Sequence, residues 1–167
     1  MNPSIGKPYV FAYILCGTDA DREMIRDFAK QQNKTLVTIP FLEADHINKK
    51  DRLFGDRQIT NADPGQFIGL IQHADYVFTD SFHCMVFSCI YHKSFFSLNK
   101  IGKNQMIPIQ DFQSWMGIGN RVITSESDVQ RLLQTDDYTM WETFERRLKE
   151  ERTNSMQFLM NALNDTE

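Results

Sequence analysis

The stretch Tyr76-Val77-Phe78-Thr79-Asp80-Ser81-Phe82-His83, continuing through the apolar run to Tyr91, decides how this chain folds. Four β-favouring residues end at an Asp-Ser pair, and Ser81 is a natural N-cap for a helix beginning at Phe82. Phe82, Met85, Val86, Phe87, Cys89 and Ile90 leave the next segment apolar nearly all round, as expected of a helix enclosed between a sheet and a second layer. Strand Tyr76–Thr79 and helix Phe82–Tyr91 therefore read as part of a parallel crossover and set the pattern for the rest.

Towards the C-terminus, Phe95–Leu98 predicts a further strand, Ile107–Met116 a helix stopped at Gly117 or Gly119, and Val122-Ile123 a short last strand. A Ser125-capped segment with Val129, Leu132 and Leu133 comes after it. From Tyr138 to Leu163, a long amphipathic helix is expected, with Trp141, Phe144, Leu148, Met156, Leu159 and Leu163 on one stripe. That stripe is longer than one small sheet covers, so its end toward Leu163 should be exposed or paired with another copy of the chain, a homo-oligomer.

Towards the N-terminus, Asp63-Pro64 starts a helix whose apolar face is Phe67, Ile68, Leu70, Ile71 and Ala74. Tyr9–Leu15 reads as a buried strand ended by Gly17, and Thr18 or Asp19 caps a helix carrying Met24, Ile25, Phe28 and Ala29. Leu36–Phe41 is the second strand of this βαβ unit, whereas residues 42–62 are polar, without sustained period, and expected to form a long loop. Helix and strand alternate throughout, which gives an α/β fold with a mainly parallel, doubly wound (Rossmann-like) sheet and a long C-terminal helix.

With 167 residues, 41% hydrophobic and 24% charged, the chain can bury a core as a single domain, residues 1–167, without disulfides or a structural metal. No apolar run reaches the length of a membrane span. Eighteen Lys and Arg against 22 Asp and Glu give a net charge of −4, so nucleic acid is not an expected partner. Cys16, Cys84 and Cys89 are odd in number and lack CxxC spacing, and the start has no charged or apolar leader, which points to a reducing, cytoplasmic setting. No histidines are spaced as HxxxH or HExxH, and Gly17 alone falls short of a dinucleotide fingerprint; neither a metal nor such a cofactor is expected.

Ligands of open parallel sheets bind beyond the C-terminal ends of the strands, where two loops stand out: Cys16-Gly17-Thr18-Asp19 and Thr79-Asp80-Ser81-Phe82-His83. If Ser81 is the N-cap, then Phe82, His83 and Cys84 occupy the first helical positions with amides that lack helical partners, which makes an anion site. His83 is placed there to touch a phosphate or carboxylate and to exchange a proton near neutral pH. The alternative is a histidine that only hydrogen-bonds the turn while Asp80 and Ser81 cap the helix. His46 reads as solvated, and His73 and His92 as helix-end residues. Cys84 and Cys89, five apart on a helix, are too oblique to share a metal and should fill the core. Lys49, Lys50, Arg52 and Arg57 read as solvated surface or as guides for an anionic substrate, and Arg121, after a Gly-rich turn, has the same guiding claim.

Residues Ala74 to His83 resemble the segment A-D-x-V-x-T-D-S-F-H-G of the polysaccharide pyruvyl transferase family, where an apolar helix also comes next. Lys7 to Leu15 is similar to the opening strand of that family's C-terminal half, Pro64 to Ile71 to the helix before the motif, and Arg152 to Leu159 to its terminal helix. The resemblance implies the C-terminal lobe of a two-lobe, glycosyltransferase-B-like transferase whose N-terminal lobe is missing. It also implies transfer of a pyruvyl group from phosphoenolpyruvate to two hydroxyls of a sugar or polysaccharide precursor, as a cyclic ketal, in surface-polysaccharide biosynthesis. Phosphoenolpyruvate would be the donor substrate, with no cofactor. His83 would be catalytic, holding the phosphate or giving the proton. Asp80, Ser81, Phe82 and Cys84, with Gly17, Thr18 and Lys100, would contact substrate.

The chain departs from the family pattern in two places. Cys84 stands where the family has Gly, adding a side chain where the backbone could best approach a ligand. Asn99 to Ile109 lacks the arginines common after the fourth strand, which leaves Lys100 and Lys103 as the nearest cations, without a bidentate fork. The chain alone is expected to be inactive. Two other functions compete: the nucleotide-sugar-binding lobe of a glycosyltransferase, using Gly17-Thr18 and the helix at Ser81, and a degenerate, non-catalytic docking module.

Overall fold

A computed structural model describes residues 5, 6, 8–43, 46–99, 106–135 and 137–164. The elements run β1 (Tyr9–Tyr13), α1 (Asp19–Gln31), β2 (Thr35–Thr38), β3 (Leu42–Glu43), β4 (His46–Ile47), β5 (Arg57–Gln58), α2 (Pro64–Gln72), β6 (Tyr76–Thr79), α3 (Phe82–Ile90), β7 (Ser94–Leu98), α4 (Ile107–Met116), β8 (Val122–Ile123), α5 (Glu126–Leu133) and α6 (Asp137–Asn164). Six strands form one parallel sheet in the order β5-β2-β1-β6-β7-β8. From β1 the chain moves outward to β2 and β5, then returns to the other side of β1 and moves through β6 and β7 to β8. This is the doubly wound order, and the β1/β6 boundary is its topological switch point.

The period-2 alternation of β1 feeds two cores. Tyr9 and Phe11 lie with Val77, Phe95, Leu70, Met85, Ile109 and Phe144, so α2, α3, α4 and the first part of α6 cover one face. Val10, Ala12 and Ile14 lie with Phe78, Phe96, Ile25, Phe28, Val129 and Leu132, so α1 and α5 cover the other.

Both N-terminal strands are shorter than their apolar runs. β1 stops at Tyr13 because the amides of Leu15 and Cys16 donate to the Asp80 carboxylate, at 2.7 and 2.6 Å, instead of to a neighbouring strand. β2 stops at Thr38 because Pro40 has no N–H and the Phe41 amide donates to Asp51 Oδ2 at 2.8 Å. The polar segment 42–62 is not simply a loop: it holds the antiparallel pair β3–β4 and the sheet's edge strand β5. Two-residue strands show no alternation, so periodicity is silent about them, although Phe54 and Asp51 within the segment are buried.

The first half of α6 docks through Phe144, with Met140, Trp141 and Leu148 partly buried against the core. From Arg152 to Asn164 every residue is exposed, including Met156, Leu159 and Leu163 at the end of the stripe. No helix among the described residues is long and apolar enough to cross a membrane.

Candidate functional site

The switch point brings together two loops that are more than 60 residues apart in sequence. Tyr13 at the end of β1 pairs in register with Thr79 at the end of β6, and the Thr79 hydroxyl donates to the Tyr13 carbonyl at 2.7 Å. One residue on, Asp80 is buried and spends both carboxylate oxygens on the Leu15 and Cys16 amides. Asp80 therefore ties the β1 loop to the β6 loop. Expected as a substrate contact, its carboxylate here faces the neighbouring backbone.

Ser81 caps α3 with extended backbone, and its hydroxyl accepts from the Cys84 amide at 3.4 Å. Its own amide donates to Thr79 Oγ1 at 3.0 Å, and its carbonyl accepts the first helical bond, from the Met85 amide, at 3.0 Å. The amides of Phe82 and His83 have no partner among the described residues. No acidic residue sits in the first turn of α3, so the positive end of the helix dipole stays uncompensated from within the helix. His83 is exposed on this turn. Its ring stands edge-on to Phe82 with centroids 5.9 Å apart, and Phe82 in turn packs edge-on to Phe112 at 5.6 Å. The imidazole has no hydrogen-bond partner among the described residues, so it is not spent on the turn.

The Gly17-Thr18 loop is different. Thr18 and Asp21 form a closed capping box: Asp21 Oδ2 accepts from the Thr18 amide and hydroxyl, both at 2.7 Å, and the Asp21 amide donates back to Thr18 Oγ1 at 3.1 Å. Asp19 and Asp21 place two negative charges on the first turn of α1. Behind the loop lies a buried ion pair, Arg22 to Asp51 at 2.7 Å, and the same guanidinium donates to the Gly17 carbonyl at 2.5 Å and the Thr18 carbonyl at 3.1 Å. A Cβ on Gly17 would sit 2.6 Å from Ile14 Cγ2. At Gly17 and Thr18, expected as substrate contacts, the Gly17 carbonyl and the Thr18 amide, hydroxyl and carbonyl are all bonded within the chain.

Cys84 fills the core, as its place on the helix predicts. Its side chain is fully buried among Thr79, Ser88 and the core, and burial pushes the thiol up to about 12. Its side chain lies on the core side of the helix start, whereas His83 is on the exposed side. Arg121, expected to guide substrate, is not at the surface. It is buried just before β8, the edge strand two places from β6, donating to the Phe95 carbonyl at 2.9 Å and pairing with Asp137 at 2.9 Å. Lys49, Lys50, Arg52 and Arg57 are exposed. His73 bonds the Gly69 carbonyl at the end of α2, and His92 stacks on Trp141 and pairs with Glu145 at 2.8 Å. Lys100 and Lys103 lie outside the described residues, as does the side chain of His46.

Sequence reading missed Arg22 and Tyr13. Arg22 falls on the buried stripe of α1 with Ile25, Phe28 and Ala29, and a cation on an apolar stripe is itself a signal of a buried partner. Tyr13 was hidden inside a run of apolar strand residues.

A family model for polysaccharide pyruvyl transferase matches residues 2–99, a span that contains both switch-point loops. Among solved structures, the chain is similar to the glycotransferase of kitacinnamycin, with a TM-score of 0.55 and 15% identity over 87% of this chain and 40% of that one. It is also similar to a protein described as a UDP-N-acetylglucosamine 2-epimerase from Listeria monocytogenes, with a TM-score of 0.51 and 12% identity over 83% of this chain and 40% of that one. At such identities the likeness is one of fold, and the chain spans 40% of the length of either structure. No curated protein matches the sequence.

Proposed function

The chain belongs to the polysaccharide pyruvyl transferase family, and from that premise we propose that it is the donor-binding C-terminal lobe of an enzyme that moves pyruvyl from phosphoenolpyruvate to a sugar. One observation carries the reading: an exposed, unpartnered imidazole, His83, on the first turn of a helix whose leading amides are free and whose dipole end no side chain of its own neutralises. The phosphate of the donor would lie against the Phe82 and His83 amides. His83 would hold that phosphate or give a proton to the methylene carbon of the enol, leaving an oxocarbenium-like carbon. Two sugar hydroxyls then add to that carbon and lose their protons as phosphate departs, and a cyclic ketal remains. No electron donor or acceptor enters this balance, so phosphoenolpyruvate is the one small-molecule reactant besides the acceptor, and the cytoplasm supplies it.

The same geometry disfavours a nucleotide sugar held through Gly17-Thr18, because Asp19 and Asp21 oppose a pyrophosphate at that helix end. Calorimetric titration of the chain tests the choice. Saturable binding of phosphoenolpyruvate with none of UDP-sugars is expected, and the reverse result would make this a glycosyl-donor lobe. Binding of neither would leave a docking module. Turnover is not expected from this chain alone, since the reacting groups of a two-lobe transferase meet between the lobes. Phosphate release that requires both phosphoenolpyruvate and a sugar, measured on the 167-residue chain, would refute that.

A further inference from the structure

β1 presents two tyrosines on the same face of the sheet, and only one of them is spent. Tyr9, buried near the start of the strand, donates its hydroxyl to the Leu70 carbonyl at 2.7 Å. Tyr13 closes the strand at the switch point, on the face shared with Phe67, Phe82 and Cys84. Its ring is half-buried and held edge-on against Phe67, with centroids 5.1 Å apart and planes at 71°. Its carbonyl is held by the Thr79 hydroxyl. Its own hydroxyl has no hydrogen-bond partner among the described residues. The phenol acts electrostatically with Cys84 and Asp80, at the C-terminal end of the strand where β1 and β6 lead into their helices.

We infer that the Tyr13 hydroxyl is a further ligand-binding group of this site, donating a hydrogen bond to an anionic oxygen of phosphoenolpyruvate; the inference rests on the pyruvyl-transfer reading. The phenol is suited to donate. Burial first, and then the Cys84 thiol and the Asp80 carboxylate, push its pKa upward, so it stays neutral and protonated instead of repelling an anion. With the free amides of α3 on one side and Tyr13 across the β1/β6 boundary, an anion would meet donors from both strands that define the switch point.

Tyr13→Phe removes one oxygen and keeps the ring against Phe67. Calorimetry on the full chain, run in parallel on wild type, Tyr13→Phe and His83→Ala with phosphoenolpyruvate and with inorganic phosphate, is the test. The expected result is a loss of about ten-fold or more in phosphoenolpyruvate affinity for Tyr13→Phe, with the melting temperature unchanged. An equal loss for inorganic phosphate assigns the bond to the phosphate, and a loss confined to phosphoenolpyruvate assigns it to the carboxylate. Unchanged affinity in Tyr13→Phe alongside a loss in His83→Ala overturns the inference and leaves the pyruvyl-transfer reading standing. Loss in Tyr13→Phe with none in His83→Ala upholds Tyr13 and removes His83 from the site. No binding of either probe to wild type overturns both.

Discussion

At the end of β1 the chain turns into α1 through Gly17 and Thr18, and at the end of β6 it turns into α3 through Asp80 and Ser81; in each turn a hydroxyl caps the helix. The third helical position separates them. In α1 it is Asp21, whose carboxylate reaches back to Thr18 and closes the capping box. In α3 it is Cys84, whose side chain turns into the core, so the box stays open. The first turn of α1 carries two carboxylates and that of α3 none. One helix end has its positive pole answered from within, and the other does not. Two equivalent positions in a doubly wound sheet thus differ in cap and charge, and the third residue after each cap sets the difference.

The largest effect should come from breaking the α1 side. Arg22→Ala leaves Asp51 buried and unpaired and removes the donors to the Gly17 and Thr18 carbonyls, which should cost about 3–5 kcal/mol of stability. Denaturant unfolding measures it, and a loss below about 1 kcal/mol would show that the β1 loop holds itself. Gly17→Ala comes next. Its Cβ would press on Ile14 Cγ2, itself within the core, so a loss of about 1–3 kcal/mol is expected from the same measurement.

A smaller effect is expected from alkali. Burial raises Cys84 and Cys89 from 9.0 to about 12, and Tyr9 from 10.0 to about 12. Above pH 9 the unfolded chain loses thiol protons that the folded chain retains, so stability is fully present below that pH and falls as pH rises toward about 12. By about pH 10 the loss should be about 1 kcal/mol per thiol, read as a falling unfolding midpoint. Thiol labelling of the native chain at about pH 8, near the ordinary thiol pKa, should mark Cys16, which is exposed, and spare Cys84 and Cys89. Labelling of Cys84 without unfolding would place its side chain at the site after all.

Much of the fold was legible in the sequence because its elements are local. Tyr76–Thr79, Ile107–Met116 and Val122-Ile123 match their observed bounds, since each is an apolar run or periodic segment bounded by a cap or a glycine. The ends of β1 and β2 were not, because their ladders stop where distant carboxylates, Asp80 and Asp51, take the next amides. β5 is two polar residues long, paired with β2 at the sheet's edge, and leaves no trace in hydropathy. The capped helix at Ser81 was read correctly from one Asp-Ser pair and the residues after it. Which of its neighbours face a ligand could not be read, because burial decides that: Cys84 and Asp80 point inward, His83 outward. Arg121 shows the same limit, since nothing in its local sequence tells of Asp137 or the Phe95 carbonyl.

The central claim, that the α3 end is a site and the α1 end is not, turns on one comparison of variants. His83→Ala should leave stability within about 0.5 kcal/mol of wild type, because the imidazole is exposed and bonded to nothing among the described residues. It should also weaken phosphoenolpyruvate binding by about 1.5–3 kcal/mol, the usual worth of a hydrogen bond to a charged group. Titration calorimetry on wild type and His83→Ala, paired with unfolding curves of the same samples, reads both quantities. Unchanged stability with lost affinity is the predicted result; equal affinity in the two proteins, or a loss of affinity that only accompanies a loss of fold, would contradict it.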